Sequence, residues 1–352
     1  MIALRNLTTK LVKSVIVDSN FDVSSRLSVG DYIPQALLEG NEHRLDIQSK
    51  AGEPNIFVVL KQSHLALSLQ AIRLSLPYRH FVLIEQAPDD NHPRLFTSKA
   101  LCQLFLHPLV PISAFVTDHN LKIVDFVDAQ NLEELRTELD QIRVPPPELP
   151  APVLVIPNAI DEVLAEDLIR YLDTHEESGS VADRDFKRRL HIHPDKDLEH
   201  RLDDKLCKSV LPEIEKVFYS EVSHRETYKI CRYDGDNSGK FGKHRDTIAP
   251  HLHRRYAITL VLNDDYAGGG IAFPEYNSRV LTIPKYGAVV FPGSLFHQVN
   301  EIASGSRYVI ISFFFGEAEA NVKEDSERYR FTVKRNVEGL TLTSLMPNQS
   351  RS

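Results

Sequence analysis

The chain is short of cysteine, has no excess of basic charge and contains no long apolar run. Its cysteines, Cys102, Cys207 and Cys231, lie far apart, with no Cys-x-x-Cys pair. That excludes a disulfide framework and a zinc knuckle, and it suits a reducing compartment. The formal charge of −8 and the pI near 6.0 provide no general basic field. A nucleic-acid partner, held mainly through its phosphates, is therefore not expected. No stretch approaches the roughly 18 uncharged apolar residues of a membrane span. The opening Met1-Ile2-Ala3-Leu4-Arg5-Asn6-Leu7 shows no apolar region ending in a cleavage site. These shortages lead us to expect a cytoplasmic protein with no membrane partner.

What is present is ordinary globular material: 352 residues, 42% hydrophobic and 26% charged, enough for two domains with real cores. Residues 1–25 show no clear period and are expected to form an arm. Asn55-Ile56-Phe57-Val58-Val59-Leu60 and His80-Phe81-Val82-Leu83-Ile84 read as buried strands, with a helix predicted between them near Leu65–Leu74. Ile112–Thr117 and Ile123–Val127 flank the turn Asp118-His119-Asn120 and predict a hairpin. Asn131–Leu139, with Leu132, Leu135 and Leu139 on one side, predicts a closing helix. Such an order suggests an α/β layer domain.

Together with the opening Gly30-Asp31-x-x-Pro34 and the hairpin at Val116-Thr117-Asp118, this half resembles the thioredoxin-like fold of the peroxiredoxins. That family carries a reactive cysteine just beyond the first buried strand, and here Lys61-Gln62-Ser63-His64-Leu65 has none. Cys102 lies in the apolar context Ala100-Leu101-Cys102-Gln103-Leu104-Phe105, which predicts a buried, inert thiol. A redox-inactive scaffold or binding surface is the expectation.

Val144-Pro145-Pro146-Pro147-Glu148-Leu149-Pro150-Ala151-Pro152 holds five prolines in nine residues and predicts a stiff spacer. The implied organisation is an arm over 1–25, an α/β domain over 26–143, a linker over 144–152, a second domain over 153–318 with its core at 227–316, and an extension over 319–352. In the second domain Val153–Ile156 reads as a strand and Asp161–Leu172 as an amphipathic helix. A polar loop is expected near Ser178–Asp185 and one helix from about Leu198 to Phe218. From Thr227 to Phe315 short strands with Gly and Pro punctuation argue for a β-sandwich or barrel.

The chemistry-bearing pattern is His244-Arg245-Asp246, then His297, then Arg307. Residues two apart share a face of a strand, so His244 and Asp246 can present an imidazole and a carboxylate together. A second imidazole from His297 completes a two-His, one-carboxylate face that leaves coordination positions open for non-haem iron(II). Arg307 begins the apolar run Arg307-Tyr308-Val309-Ile310-Ile311-Ser312-Phe313-Phe314-Phe315. A charge there needs a partner, and a carboxylate is the natural one.

Arg232-Tyr233-x-Gly235, Phe241-x-x-His244-x-Asp246, Leu260-Val261-Leu262-Asn263, Gly269-Gly270-Ile271-Ala272-Phe273-Pro274 and Pro284–Phe291 occur in order before His297 and Arg307. With them the C-terminal half resembles the 2-oxoglutarate and Fe(II)-dependent oxygenases of the prolyl 4-hydroxylase-like branch. The resemblance implies a double-stranded β-helix, or jelly roll, with supporting helices. It implies iron held by His244, Asp246 and His297, and 2-oxoglutarate held by Arg307 with a hydrogen bond from Tyr233. It implies O2 as a second cosubstrate and ascorbate as a reductant. The reaction implied is hydroxylation of a C–H bond with release of succinate and CO2, the substrate being a prolyl or other residue of a protein or peptide. A small-metabolite hydroxylase and a catalytically silent jelly-roll binding module stay open beside it. Asp246 favours hydroxylation, since halogenating relatives lack that carboxylate. Phe313 stands where the nucleic-acid-repair branch has a second arginine, and Phe241 where the family commonly has tyrosine.

Other pairs invite blander readings. His251-Leu252-His253 is expected in an exposed loop rather than a zinc cluster, and His191-Ile192-His193 in a strand with solvated imidazoles. Arg188 and Arg189 are expected on a solvated face. Gly268-Gly269-Gly270 lacks the Lys-Ser/Thr of a phosphate loop and reads as a turn. Arg328–Val333 alternates like a strand, with disorder expected beyond Met346.

Overall fold

The computed structural model of the chain describes residues 27–33, 37–39, 44–60, 71, 74–84, 95–97, 102, 109–248, 250–320, 329–336 and 339–347. The expected arm, the stretch 61–65 and nearly all of the helix expected near residues 65–74 lie outside them. So do the last residues, 348–352. Contacts divide the chain into one unit of Met1–Leu149 with Pro274–Ser278, and another of Pro150–Phe273 with Arg279–Ser352. Among the described residues no helix is long and apolar enough to cross a membrane.

The first unit contains β1 (Leu37–Glu39), β2 (Arg44–Asp46), β3 (Asn55–Leu60), β4 (Arg79–Ile84), β5 (Leu95–Thr97), β6 (Ile112–Thr117), β7 (Ile123–Ala129) and helix α1 (Leu132–Leu139). They form one mixed sheet of order β2-β1-β5-β4-β3-β6-β7, with β3 parallel to β4 and antiparallel to β6. The apolar runs form its centre, because β3 and β6 are buried along their whole length. Phe57 stacks on Phe115 at 4.9 Å between centroids. The hairpin turn is tied by Asp118, whose Oδ1 accepts from the amides of Asn120 and Lys122. Asn131 caps α1 by accepting from the amides of Glu133 and Glu134. Cys102 is buried, as its apolar context predicts.

The second unit begins with β8 (Leu154–Ile156), α2 (Glu162–Thr174), β9 (Ser180–Arg184), β10 (Lys187–Ile192), α3 (Lys196–Ser209) and α4 (Leu211–Phe218). Asp161 and Asp195 cap α2 and α3 by accepting from the amides three residues on. The single helix expected over Leu198–Phe218 is in fact two, broken at Val210, because Pro212 supplies no amide to continue the ladder. The loop expected at Ser178–Asp185 is largely strand β9, paired along its length with β10. Next come β11 (His224–Arg225), β12 (Lys229–Asp234), β13 (Lys240–His244), β14 (Tyr256–Val261), β15 (Ala267–Gly268), β16 (Ile271–Ala272), β17 (Val280–Leu281), β18 (Ala288–Pro292), β19 (His297–Val299), β20 (Ile302–Ser304) and β21 (Ser306–Phe315). After the short helix α5 (Glu317–Ala320), the tail forms a hairpin of β22 (Tyr329–Asn336) and β23 (Gly339–Pro347).

Pairing runs β8-β18-β14-β21-β12-β10-β13-β19-β16-β17, antiparallel throughout. β18 and β19 lie far apart on this path, yet only the turn at 293–296 separates them in the chain. The sheet must therefore curl over on itself, which gives a jelly-roll-like fold.

Alternation then decides what each face does. Leu190 and Ile192 of β10, Ile230 of β12, Ile258 and Leu260 of β14, Val290 of β18 and Ile310 and Phe314 of β21 join one core with Leu168, Leu172, Leu202 and Leu206 of the helices. Each such fully buried side chain contributes about 1.5–3 kcal/mol. The residues between them, including Arg189, Tyr233 and Arg307, necessarily point to the inside of the curl.

Candidate metal centre

His244 and His297 are direct cross-strand partners on β13 and β19, and their rings lie 4.3 Å apart. Asp246 arrives differently from the expectation of plain strand alternation. β13 ends at His244, and the backbone amides of Asp246 and Thr247 both donate to the Gly293 carbonyl at 2.8 and 3.0 Å. A Cβ on residue 293 would stand 2.5 Å from Thr247 Oγ1 and 2.9 Å from the Arg254 carbonyl, so this approach requires glycine.

The imidazoles are oriented by their own backbone. Nδ1 of His244 lies 2.7 Å from the Gly242 carbonyl and Nδ1 of His297 lies 3.0 Å from the Leu295 carbonyl. A carbonyl only accepts, so each Nδ1 carries the proton and each Nε2 is free to ligate. Those Nε2 atoms stand 3.6 and 3.4 Å from Oδ1 and Oδ2 of Asp246. Ligand atoms of all three residues lie within 4.8 Å of one another. Bonds of about 2.1 Å at right angles would put neighbouring ligand atoms about 3 Å apart, close to the observed spacing. Two imidazole lone pairs facing a carboxylate repel it unless a proton or cation lies between them, so the donor set fits a divalent metal.

Burial would raise the Asp246 carboxyl, but the adjacent His244 and His297 imidazoles hold it below the usual carboxylate range. Burial pushes His297 down to about 4. Both shifts favour the ionisation states that ligation needs. Phe273 and Phe291 lie 6.2 and 4.7 Å from the His297 ring, and Phe241 stacks on His244 at 3.7 Å.

Arg307 is 1% exposed. Its Nε donates to the Tyr266 hydroxyl at 3.3 Å, while Nη1 and Nη2 are buried without a hydrogen-bond partner. A desolvated guanidinium fork with both ends free is a receptor for a carboxylate. Tyr233, its cross-strand partner, is fully buried, and its hydroxyl accepts from Arg189 Nη1 at 3.1 Å. Gly269, at φ +69°, passes so close that a Cβ there would stand 3.2 Å from Arg307 Cδ. His244, Phe241, Arg189, Tyr233 and Arg307 thus form a continuous series of contacts on the inner face.

Several sequence expectations fail here for physical reasons. Arg189 is not solvated: it lies on the inward parity of β10 and is 7% exposed. His191 shares that parity, is half-buried, and is held down to about 4 by burial and by Arg189, Lys229 and Lys187. His253 is buried rather than in an exposed loop. Its Nε2 lies 2.7 Å from Glu226 Oε1, and Arg254 adds a two-pronged contact to the same carboxylate at 2.7 and 2.9 Å. Arg245, in contrast, turns away from the metal ligands as the alternation of side chains leads one to expect, bonding the Ser294 carbonyl with its Cζ 5.3 Å from the Phe296 ring. Tyr266 and Glu226 escaped sequence reading. The only signal for Tyr266 was an aromatic residue just before a glycine turn.

Relatives agree with the motif resemblance. The chain is 30% identical over 114 residues to a PKHD-type hydroxylase of Pseudomonas aeruginosa, covering 29% of this chain and 49% of that protein. It is 29% identical over 115 residues to procollagen-lysine,2-oxoglutarate 5-dioxygenase 1 of Rattus norvegicus, covering 31% and 15%. It therefore spans half or less of the length of these curated relatives. A solved prolyl hydroxylase of Trichoplax adhaerens, in complex with a hypoxia inducible factor oxygen degradation domain peptide fragment, matches 49% of this chain and 87% of its own at 14% identity and a TM-score of 0.41. No family model matches the chain. The relatives bear out the resemblance to 2-oxoglutarate and Fe(II)-dependent oxygenases of the prolyl 4-hydroxylase-like kind.

Proposed function

We propose that the chain is an Fe(II)- and 2-oxoglutarate-dependent hydroxylase acting on a C–H bond of a residue in a protein or peptide. The observation that carries this reading is the pairing of the His244, Asp246 and His297 donor set with a buried Arg307 fork lacking a partner. Iron(II) in such a site supplies oxygen activation, with 2-oxoglutarate consumed to succinate and CO2 and ascorbate serving as reductant.

The chain's own residues prepare that chemistry. Backbone carbonyls of Gly242 and Leu295 hold the two Nδ1 protons, which keeps the Nε2 atoms aimed at the metal. Asp246 contributes the negative ligand and stays ionised. Arg307 takes the far carboxylate of 2-oxoglutarate in a two-pronged grip, oriented by Tyr266 through its Nε. Tyr233 has its hydroxyl filled by Arg189 as donor, so its own proton is free to bond the same acid. Phe241 cannot offer the hydroxyl that tyrosine supplies in relatives. It contributes a water-excluding ring against His244 instead.

The first unit is read as a thioredoxin-like scaffold without redox chemistry, in a cytoplasmic protein. The order β4-β3-β6-β7, a parallel pair followed by a hairpin and a helix, supports the likeness.

Incubation with Fe(II), 2-oxoglutarate and lysate proteins in air is expected to yield succinate and a mass gain of one oxygen on a target. Asp246→Ala is expected to reduce both to background. Succinate formation by the variant at the wild-type rate would overturn the reading.

A further inference from the structure

The inside of the curl holds more positive charge than a metal site and a 2-oxo acid use. Lys187 and Arg189 stand on β10 and Lys229 on β12, all on the inward parity with His191, Cys231 and Tyr233. Lys187 Nζ lies 4.6 Å and Arg189 Cζ 5.6 Å from the centre of the Phe241 ring, and the same ring stacks on His244. The cations are thus one aromatic ring away from a metal ligand.

Among the described residues no carboxylate lies within ion-pair distance of Lys187, Arg189 or Lys229. The Arg189 hydrogen bond goes to Tyr233, and its Nε is buried without a partner on a side chain 7% exposed. The acids that face the group are already engaged. Asp246 belongs to the metal set, and Glu226 is held by His253 and Arg254.

Gathering like charges on a desolvated face is costly, and the protonation equilibria register the cost. Burial, and then Arg189, pushes Lys187 down to about 8, and burial lowers Lys229 although Glu226 pulls the other way. A fold keeps such a wall when an anion meets it during function.

We propose that the substrate carries a carboxylate that seats on Arg189, flanked by Lys187 and Lys229, so that a neighbouring C–H bond lies over the triad. This rests on the oxygenase reading and names the substrate class: an acidic molecule, whether an acidic residue of a peptide or a small organic acid. Arg307 remains with 2-oxoglutarate, and the wall on β10 and β12 selects the second acid.

The test uses full-length protein loaded with Mn(II) and saturating 2-oxoglutarate, with calorimetric titration of uncharged and acidic probes. The probes are N-acetyl-L-glutamate against N-acetyl-L-glutaminamide, and acetyl-Ala-Glu-Ala-amide against its Gln counterpart. At least one acid is expected to bind about tenfold or more tightly than its amide. A preference confined to the tripeptide points to a peptide substrate, and one confined to the small acid to a metabolite. Arg189→Gln is expected to erase that preference and, because Arg189 also donates to the Tyr233 hydroxyl, to weaken 2-oxoglutarate binding as well, whereas Lys187→Gln is expected to change Mn(II) and 2-oxoglutarate affinity by no more than about twofold. Lys187→Gln and Lys229→Gln, at half-buried positions, should each reduce the preference in part.

Equal binding of acid and amide, or binding of neither, overturns the proposal. So does an Arg189→Gln protein that keeps the preference and loses 2-oxoglutarate instead. The same comparison on metal-free Arg307→Leu protein reads the wall alone. Failure there is distinct from failure of the wild type to bind Mn(II) and 2-oxoglutarate, which would sink the oxygenase reading.

Discussion

Arg307→Leu is expected to weaken 2-oxoglutarate binding by about two to three orders of magnitude while leaving Fe(II) affinity unchanged. Losing one partner of a buried, hydrogen-bonded charge pair costs about 3–4 kcal/mol, which is that range in Kd. Nothing at the metal ligands changes, because Arg307 contacts Tyr266 and Tyr233 rather than the triad. The same substitution is expected not to lower the stability of the ligand-free protein. There the guanidinium is desolvated with Nη1 and Nη2 unbonded, so leucine removes an uncompensated cation. Calorimetry with 2-oxoglutarate and a denaturation midpoint for the free protein check both halves. Unchanged 2-oxoglutarate affinity would remove Arg307 from the site. A large loss of stability with intact binding would make it a structural residue.

The reverse pattern is expected at Asp203. Its Oδ1 accepts from Arg225 Nε and from the Tyr228 hydroxyl, both at 2.6 Å, and its Oδ2 accepts from Arg225 Nη2 at 2.7 Å. Asp203 and Arg225 are both fully buried, and they join α3 to β11. Asp203→Leu takes from Arg225 its two-pronged carboxylate, with the Glu226 carbonyl at 3.3 Å and Glu199 at 3.8 Å still beside it, so a loss of about 3–5 kcal/mol in unfolding free energy is expected. The double substitution Asp203→Leu with Arg225→Met removes both charges and should recover most of that loss. The folded protein in each case is expected to keep its iron and 2-oxoglutarate affinities. Denaturant titration of the single and double variants checks this, and an Asp203→Leu cost below about 1 kcal/mol would contradict it.

The candidate site was legible as residue types in order, and much less so as environment. His244, Asp246, His297 and Arg307 could be picked out because ligand chemistry and strand alternation constrain which residues are usable. What alternation could not reveal was which face of β10 is covered. Arg188-Arg189 and His191-Ile192-His193 look like a polar strand in solvent. Only the pairing with β12 shows that the odd-numbered residues face inward, beside Tyr233.

His253 was misread for a similar reason, since its partner Glu226 is distant in sequence and arrives with β11. Asp246 depends on the Gly293 carbonyl, a contact that no local pattern encodes. Strands such as β3, β6 and β21 were readable because long apolar runs have few alternatives. The break at Val210 is signalled by Pro212, but the continuous apolar spacing of Leu202, Leu206, Val210, Ile214 and Val217 masks it.

The central claim is that His244, Asp246 and His297 hold the iron to which 2-oxoglutarate is delivered. It is tested most directly by anaerobic titration of Fe(II), and then 2-oxoglutarate, into wild type and His244→Ala. Wild type is expected to bind a single iron and, with it, 2-oxoglutarate. His244→Ala is expected to lose the iron and the iron-dependent part of 2-oxoglutarate binding. Equal binding of both ligands by the two proteins would contradict the assignment.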